Sequence, residues 1–204
     1  MNILHIDCSP RPESESRKLS AAILDRISAG RSGVTVVRRD LGRDPVPHAD
    51  EGYATVLSAP GTLSAEQIKE ATQLSEQLIR EIEEADLLVI GTPMNNFTLP
   101  SVFKAWIDQV LRMGRTMDTT PDGRKVGLLQ DKPVYIGIAS GGVFTGENAQ
   151  QPDFMIPYLR AAFACIGLET LQFFPLQATV FRSRQELEEE RNALISTLRL
   201  PDSV

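Results

Sequence analysis

Residues 85–113 read ADLLVIGTPMNNFTLPSVFKAWIDQVLRM. Leu87 to Gly91 is an apolar run of strand type. Leu99 to Met113 is a helix, with Val102, Phe103, Trp106, Ile107, Val110 and Leu111 at helical spacing and Pro100 at a tolerated early position. That apolar face is ordinary core, and part of it is available to a partner subunit. Joints between such elements are usually a few residues long and plain. This one carries prolines, adjacent asparagines and an aromatic, more than a bare turn needs.

The same alternation runs outward in both directions. Asn2 to Asp7 is a first strand, followed by the polar loop CSPRPESES and a helix from Arg17 to Ser28. Val34 to Arg38 is a second strand. Residues 40–63 are rich in Pro, Gly and Asp and read as a long surface excursion. Ser64-Ala65-Glu66-Gln67 resembles a capping box before one long helix to about Glu84. Beyond residue 113, the segment 114–131 is polar, with a Pro121-Asp122-Gly123 turn that suits a small hairpin. Val134 to Ala139 is the fourth strand. Pro152 to Ile166 is a helix closed by Gly167. Leu171 to Pro175 is the fifth strand, and Arg184 to Leu198 a final charged helix. The closing residues 201–204, PDSV, are expected to be loose.

Near-continuously apolar strands are expected where both sheet faces are covered. The reading is therefore one α/β domain over residues 1–204, with a doubly wound five-stranded parallel sheet in the order 2-1-3-4-5 and helices on both faces. The 204 residues suit one domain with a sizeable core. A net charge of −6, with no basic stripe, argues against nucleic acid as a partner. No apolar run is long enough to span a membrane, and the N-terminus reads as a strand, not a signal peptide. Cys8 and Cys165, far apart, suit a reducing cytoplasm. His5 and His48 cannot build a histidine-rich metal site, so no metal is expected. His5 reads as a packed strand residue.

In such sheets ligands bind beyond the carboxyl ends of the strands, where strand order reverses. The loops after strands one, three and four therefore carry the candidate site. In the first, Ser9, Ser14 and Ser16 stand near a helix start, where free N–H groups and the helix dipole favour a phosphate. The plainer role for one serine is N-capping. In the second, Met94, Asn95, Asn96 and Phe97 mix apolar walls with amide donors and acceptors, as a planar ring with a polar edge requires. In the third, Gly141-Gly142 lets a flat ligand approach the backbone, or simply makes a tight turn. Walker and GxGxxG glycine patterns are absent. Cys8 ends the first strand, where low-molecular-weight tyrosine phosphatases hold a nucleophile. Their Cys-x5-Arg pattern would need arginine at position 14, which is Ser14.

Taken together, the residues resemble the FMN-dependent NADH-azoreductases, a flavodoxin-like family that also includes NAD(P)H:quinone oxidoreductases. The resemblance rests on Ser9, on Ser14-Glu15-Ser16 for S-x-S, on Pro93-Met94-Asn95-Asn96-Phe97, and on Ala139-Ser140-Gly141-Gly142 for an S-R-G-G type loop. It extends through LPSVFKAWIDQVLRMGRTM, GLLQDKPVYIGIASGG and PYLRAAFACIGLE, over about residues 1–177. It implies that Ser9, Ser14, Glu15 (through its backbone) and Ser16 hold the FMN phosphate. Met94, Asn95, Asn96 and Phe97 would border the ring, and Ala139, Ser140, Gly141 and Gly142 its other edge. The implied activity is two-electron reduction of quinones by NADH or NADPH in ping-pong order, with cleavage of azo compounds. The flavin carries the chemistry, so no catalytic acid or base is assigned. The implied assembly is a cytoplasmic homodimer with the site at its interface. Asn95 stands where the family usually has Tyr or Trp, Met117 where it often has Phe, and Ala139-Ser140 replaces Ser-Arg. These departures bear on substrate range more than on FMN. The alternative is a flavodoxin-like electron carrier, or a flavin-binding regulator without NADH turnover.

Overall fold

The computed structural model describes residues 1–200. The expectation for residues 201–204 lies outside the described residues.

Five parallel strands form the main sheet: β1 (Asn2–Asp7), β2 (Thr35–Asp40), β3 (Leu87–Pro93), β6 (Val134–Ala139) and β7 (Leu171–Leu176). Their order is β2-β1-β3-β6-β7. The labels β4 (Met117–Thr119) and β5 (Lys125–Gly127) belong to a separate antiparallel pair. Counting main-sheet strands alone, the order is the expected 2-1-3-4-5. The hairpin at 114–131 is the pair β4–β5.

Strand residues alternate between two apolar clusters, one per sheet face. Ile3, Leu87, Val89, Tyr135 and Phe174 face Leu19, Ile23 and Ile27 of α1 (Glu15–Ser28) and Leu187 of α7 (Arg184–Ser196). Leu4, Ile6, Leu88, Ile90, Ile136 and Ile138 face the opposite layer. That layer is built from α4 (Gln73–Glu84), α5 (Ser101–Val110) and α6 (Met155–Cys165). Trp106 is fully buried there, with Phe103 and Phe163 at ring-centroid distances of 5.9 and 6.5 Å. β7 lies at the sheet edge, the position where a strand proline such as Pro175 is tolerated.

Several elements differ from the sequence reading. The expected long helix from residue 64 to 84 is two helices, α3 (Ala65–Ala71) and α4, meeting at Thr72. The Thr72 hydroxyl donates back to Ile68 O at 2.8 Å, a local bond that competes with helix continuation. The capping box on Ser64 forms as expected. Segment 40–63 contains α2 (Glu51–Ser58), capped by Asp50 and held by buried Tyr53, whose hydroxyl reaches the carbonyls of Asp108 and Gln109. The helix expected from Leu99 begins at Ser101 with Pro100 as its N-cap. The one expected from Pro152 begins at Met155, because the Asp153 carboxylate takes the Met155 and Ile156 N–H groups.

Two glycines set how closely α1 lies on the sheet. A Cβ at Gly91 would stand 2.6 Å from Ser20 Oγ and 2.7 Å from Ser16 O. One at Gly137 would stand 2.8 Å from Leu19 Cγ. We expect Gly91→Ala to overpack this contact and cost about 1–3 kcal/mol, read as a lowered urea midpoint at unchanged slope.

Candidate functional site

All parallel strands deliver their following loops to one edge. There the loop after β1 leads into α1. Ser14 is the N-cap, its Oγ accepting from Arg17 N at 3.2 Å. The Ser14 and Ser16 hydroxyls lie 3.0 Å apart, and Ser9, Ser14 and Ser16 are all buried. The first N–H groups of a helix lack intrahelical partners. Ser14 N turns back to Arg11 O and Arg17 N goes to the cap, which leaves Glu15 and Ser16 N–H as donors at the helix mouth. This is a neutral, donor-rich cradle of the kind that holds an anion. Glu15 enters it by its backbone, since its carboxylate pairs with Lys18 and Arg191.

The loop after β3 is a tight reversal. Asn95 and Thr98 exchange backbone bonds at 2.8 and 3.1 Å. Asn96 and Phe97 take positive φ of 48° and 70°. For a bulky residue such as Phe97 this is a strained conformation, which persists only where the surrounding structure over-determines the backbone. Phe97 is 45% exposed. Phe97 O accepts from Phe154 N at 3.3 Å, which brings the start of α6 beside the loop.

The loop after β6 meets the same place. Met94 N donates to Ala139 O at 2.9 Å. Gln151 Nε2 donates to Ser140 Oγ at 2.9 Å and lies 3.7 Å from Met94 Sδ. A Cβ at Gly142 would sit 3.2 Å from the Gln151 carboxamide, and one at Gly141 3.3 Å from Val180. Thus Met94 and Ala139 to Gly142 are brought together. Asn95 and Asn96 are exposed at the rim.

Three participants escaped the sequence reading. Gln151 ties the second and third loops together. Gln177 Oε1 accepts from Phe144 N and Thr145 N at 2.7 and 2.8 Å, fixing the glycine loop from the strand beyond. The segment after β7 reaches back as well, with Thr179 N on Ser140 O at 3.0 Å. That loop could have been found, because β7 ends on the same edge as its neighbours.

Beneath the cradle lies a charged layer. Arg17 spans Asp40 and Ser9 O. Burial opposes ionisation of Asp40, but the guanidinium outweighs it and holds the carboxyl below its usual range. His5 is buried, with Nδ1 2.8 Å from Arg38 Nη1 and Nε2 3.6 Å from Asp7, a packed strand residue as expected. Cys8 is fully buried and its thiol is pushed far up by desolvation, so it is no nucleophile. Among the described residues no cluster of His, Cys, Asp and Glu suits a metal ion. A groove lined by Pro47, His48, Tyr53, Leu63, Leu74 and Gln109 includes none of these loop residues.

The Flavodoxin-like fold family matches residues 1–198. FMN-dependent NADH:quinone oxidoreductase 4 of Pseudomonas fluorescens is 43% identical over 197 residues, covering 95% of this chain and 93% of that protein. The chain belongs to this flavodoxin-like oxidoreductase family. An FMN-dependent NADH:quinone oxidoreductase of Beijerinckia indica subsp. indica is 44% identical over 171 residues, 83% of this chain and 84% of that protein. Among solved structures, an azoreductase from Bacillus anthracis str. Sterne superposes with a TM-score of 0.81 at 25% identity, over 96% of this chain and 95% of that one. An FMN-dependent NADH-azoreductase from Bacillus anthracis str. Ames Ancestor, solved in complex with FMN, has a TM-score of 0.82 at 24% identity, over 96% of both chains, and supports the fold.

The candidate site lies above the Arg17–Asp40 ion pair. A carboxyl held below its unfolded value of about 3.9 contributes stability above that pH and loses it as pH falls through the folded value. Urea midpoints below about pH 4 should therefore fall less in Asp40→Asn than in the wild type, relative to their own values near neutrality.

Proposed function

We propose that this protein is an FMN-dependent NAD(P)H oxidoreductase that reduces quinones, with aromatic azo compounds as further acceptors. The observation that carries this reading is the meeting of the Ser14–Ser16 helix mouth, the 94–97 loop and the 139–142 loop at one sheet edge, in a chain of this family.

The residues fit FMN. Neutral donors at a helix N-terminus suit its phosphate: the hydroxyls of Ser9, Ser14 and Ser16 and the N–H groups of Glu15 and Ser16. Met94 and Phe97 offer apolar surface to the ring, and Asn95 and Asn96 polar atoms to its rim. The backbone of Ala139 to Gly142, free of side chains at both glycines, borders the opposite edge. When bound, FMN supplies the two-electron chemistry between NADH or NADPH and the acceptor. The chain's share is positioning: Gln151 and Gln177 hold two ring-bordering loops rigid, and the strained Phe97 presents its ring to the ligand. Donor and acceptor would use one shelf in turn.

A homodimer fits the same surface. Phe154, Val180 and Phe181 are 62%, 72% and 80% exposed beside the site, and a second copy over them would close the shelf from water. No helix among the described residues is long and apolar enough to cross a membrane. The free thiols of Cys8 and Cys165 fit a cytoplasmic location.

FMN-loaded protein should oxidise NADH with benzoquinone and give parallel double-reciprocal lines. Failure with every quinone and azo acceptor would assign an electron carrier or regulator instead. Asn95→Tyr should alter the ratio of azo-dye to quinone rates by about two- to tenfold, the worth of one stacking contact. An unchanged ratio would remove position 95 from acceptor choice.

A further inference from the structure

We propose that Arg17 is a positioning residue for the FMN phosphate: it locks the Ser9 backbone, and with it the loop that forms one wall of the cradle. The proposal rests on the FMN reading above.

Arg17 is the obvious cation near the helix mouth, at the third helical position. Yet its guanidinium is fully engaged within the protein. Nε and Nη2 donate to Ser9 O at 2.9 and 2.6 Å. Nη1 donates to Asp40 Oδ2 at 2.8 Å, Nη2 to Asp40 Oδ1, and Nη1 lies 3.5 Å from Asp7 Oδ2. This is a forked, two-sided grip, with the side chain only 14% exposed. A lysine can match its charge but not its planar fork.

The gripped carbonyl is where the loop most needs support. Residues 8–14 contain Pro10 and Pro12, which have no N–H to donate. The loop's own backbone bonds are few: Cys8 N to Gly91 O at 2.8 Å, and Ser14 N to Arg11 O at 3.3 Å. On the other side Ser9 is pressed against Gly42, where a Cβ would stand 2.1 Å from Ser9 O. Gly42 N is bonded to Asp7 O at 3.2 Å. Asp40 is itself fixed by Arg43 N at 3.1 Å and by its place at the end of β2 beside Asp7. The guanidinium therefore links α1, β2 and the loop through one carbonyl. Ser9 Oγ, which accepts from Arg11 N at 3.3 Å, keeps its own proton to donate into the cradle. Its direction follows from where the Ser9 backbone is held.

A rival reading makes Arg17–Asp40 a plain staple between helix and sheet. The two differ in what they do to ligands with and without a phosphate. The test uses apo-protein titrated with FMN and, separately, with riboflavin, followed by quenching of flavin fluorescence. Arg17→Lys is compared with the wild type. We expect Arg17→Lys to weaken FMN about tenfold, the worth of one hydrogen bond from a misplaced Ser9 hydroxyl to the charged phosphate, with riboflavin affinity unchanged. Should Arg17→Lys fail to fold, Asp40→Asn reports the same selectivity, with a smaller loss for FMN alone. FMN affinity equal to the wild type, or equal losses for FMN and riboflavin, would overturn the proposal and leave the functional reading standing. A wild type that binds neither flavin would overturn that reading, and the proposal with it.

Discussion

Helix α1 lies against β3 and β6 with no side chain between it and the sheet at Gly91 and Gly137. This close approach decides the rest. It places the first turn of α1 directly at the carboxyl ends of the strands, beside the loops after β3 and β6. The helix mouth and the two loop backbones then meet at one place, where the proposed function seats a phosphate and a ring. Larger side chains at either glycine would lift α1 and separate these parts. Leu19, Ile23 and Ile27 of the same helix carry one of the two apolar clusters, so packing and site geometry are one constraint.

The site's electrostatics follow from that arrangement. The cradle is built from hydroxyls and backbone N–H groups, while the charges lie one layer below in the Arg17, Asp40 and Asp7 group. A phosphate held by the helix dipole and neutral donors needs no desolvated cation at the contact. The ion pairs below can then act on shape, where a bidentate guanidinium is strongest.

Much of this was legible in the sequence because parallel strands buried on both faces leave an unmistakable pattern. The main-sheet strands, the order of the sheet and the three loops at its edge could be read from apolar runs and from the doubly wound rule. What escaped depended on single local bonds or on reach across strands. Thr72 breaks a helix through a hydroxyl that bonds back to Ile68, a choice that periodicity does not record. Residues 51–58 fold as a helix because Asp50 caps them and Tyr53 finds buried partners, against a Pro- and Gly-rich surrounding composition. Gln151 and Gln177 look like unremarkable polar residues in sequence. Their role appears only when the fold brings their amides to loops on neighbouring strands.

The proposed function requires that this edge seat a flavin that takes electrons from a nicotinamide and passes them to a quinone in separate steps. An anaerobic titration of the FMN-loaded protein tests it most directly. One equivalent of NADH should bleach the flavin's visible absorbance. After removal of the spent nicotinamide, one equivalent of benzoquinone should restore it. An absorbance that NADH leaves unchanged, or that benzoquinone fails to restore, would rule out a flavin working between the two at this edge.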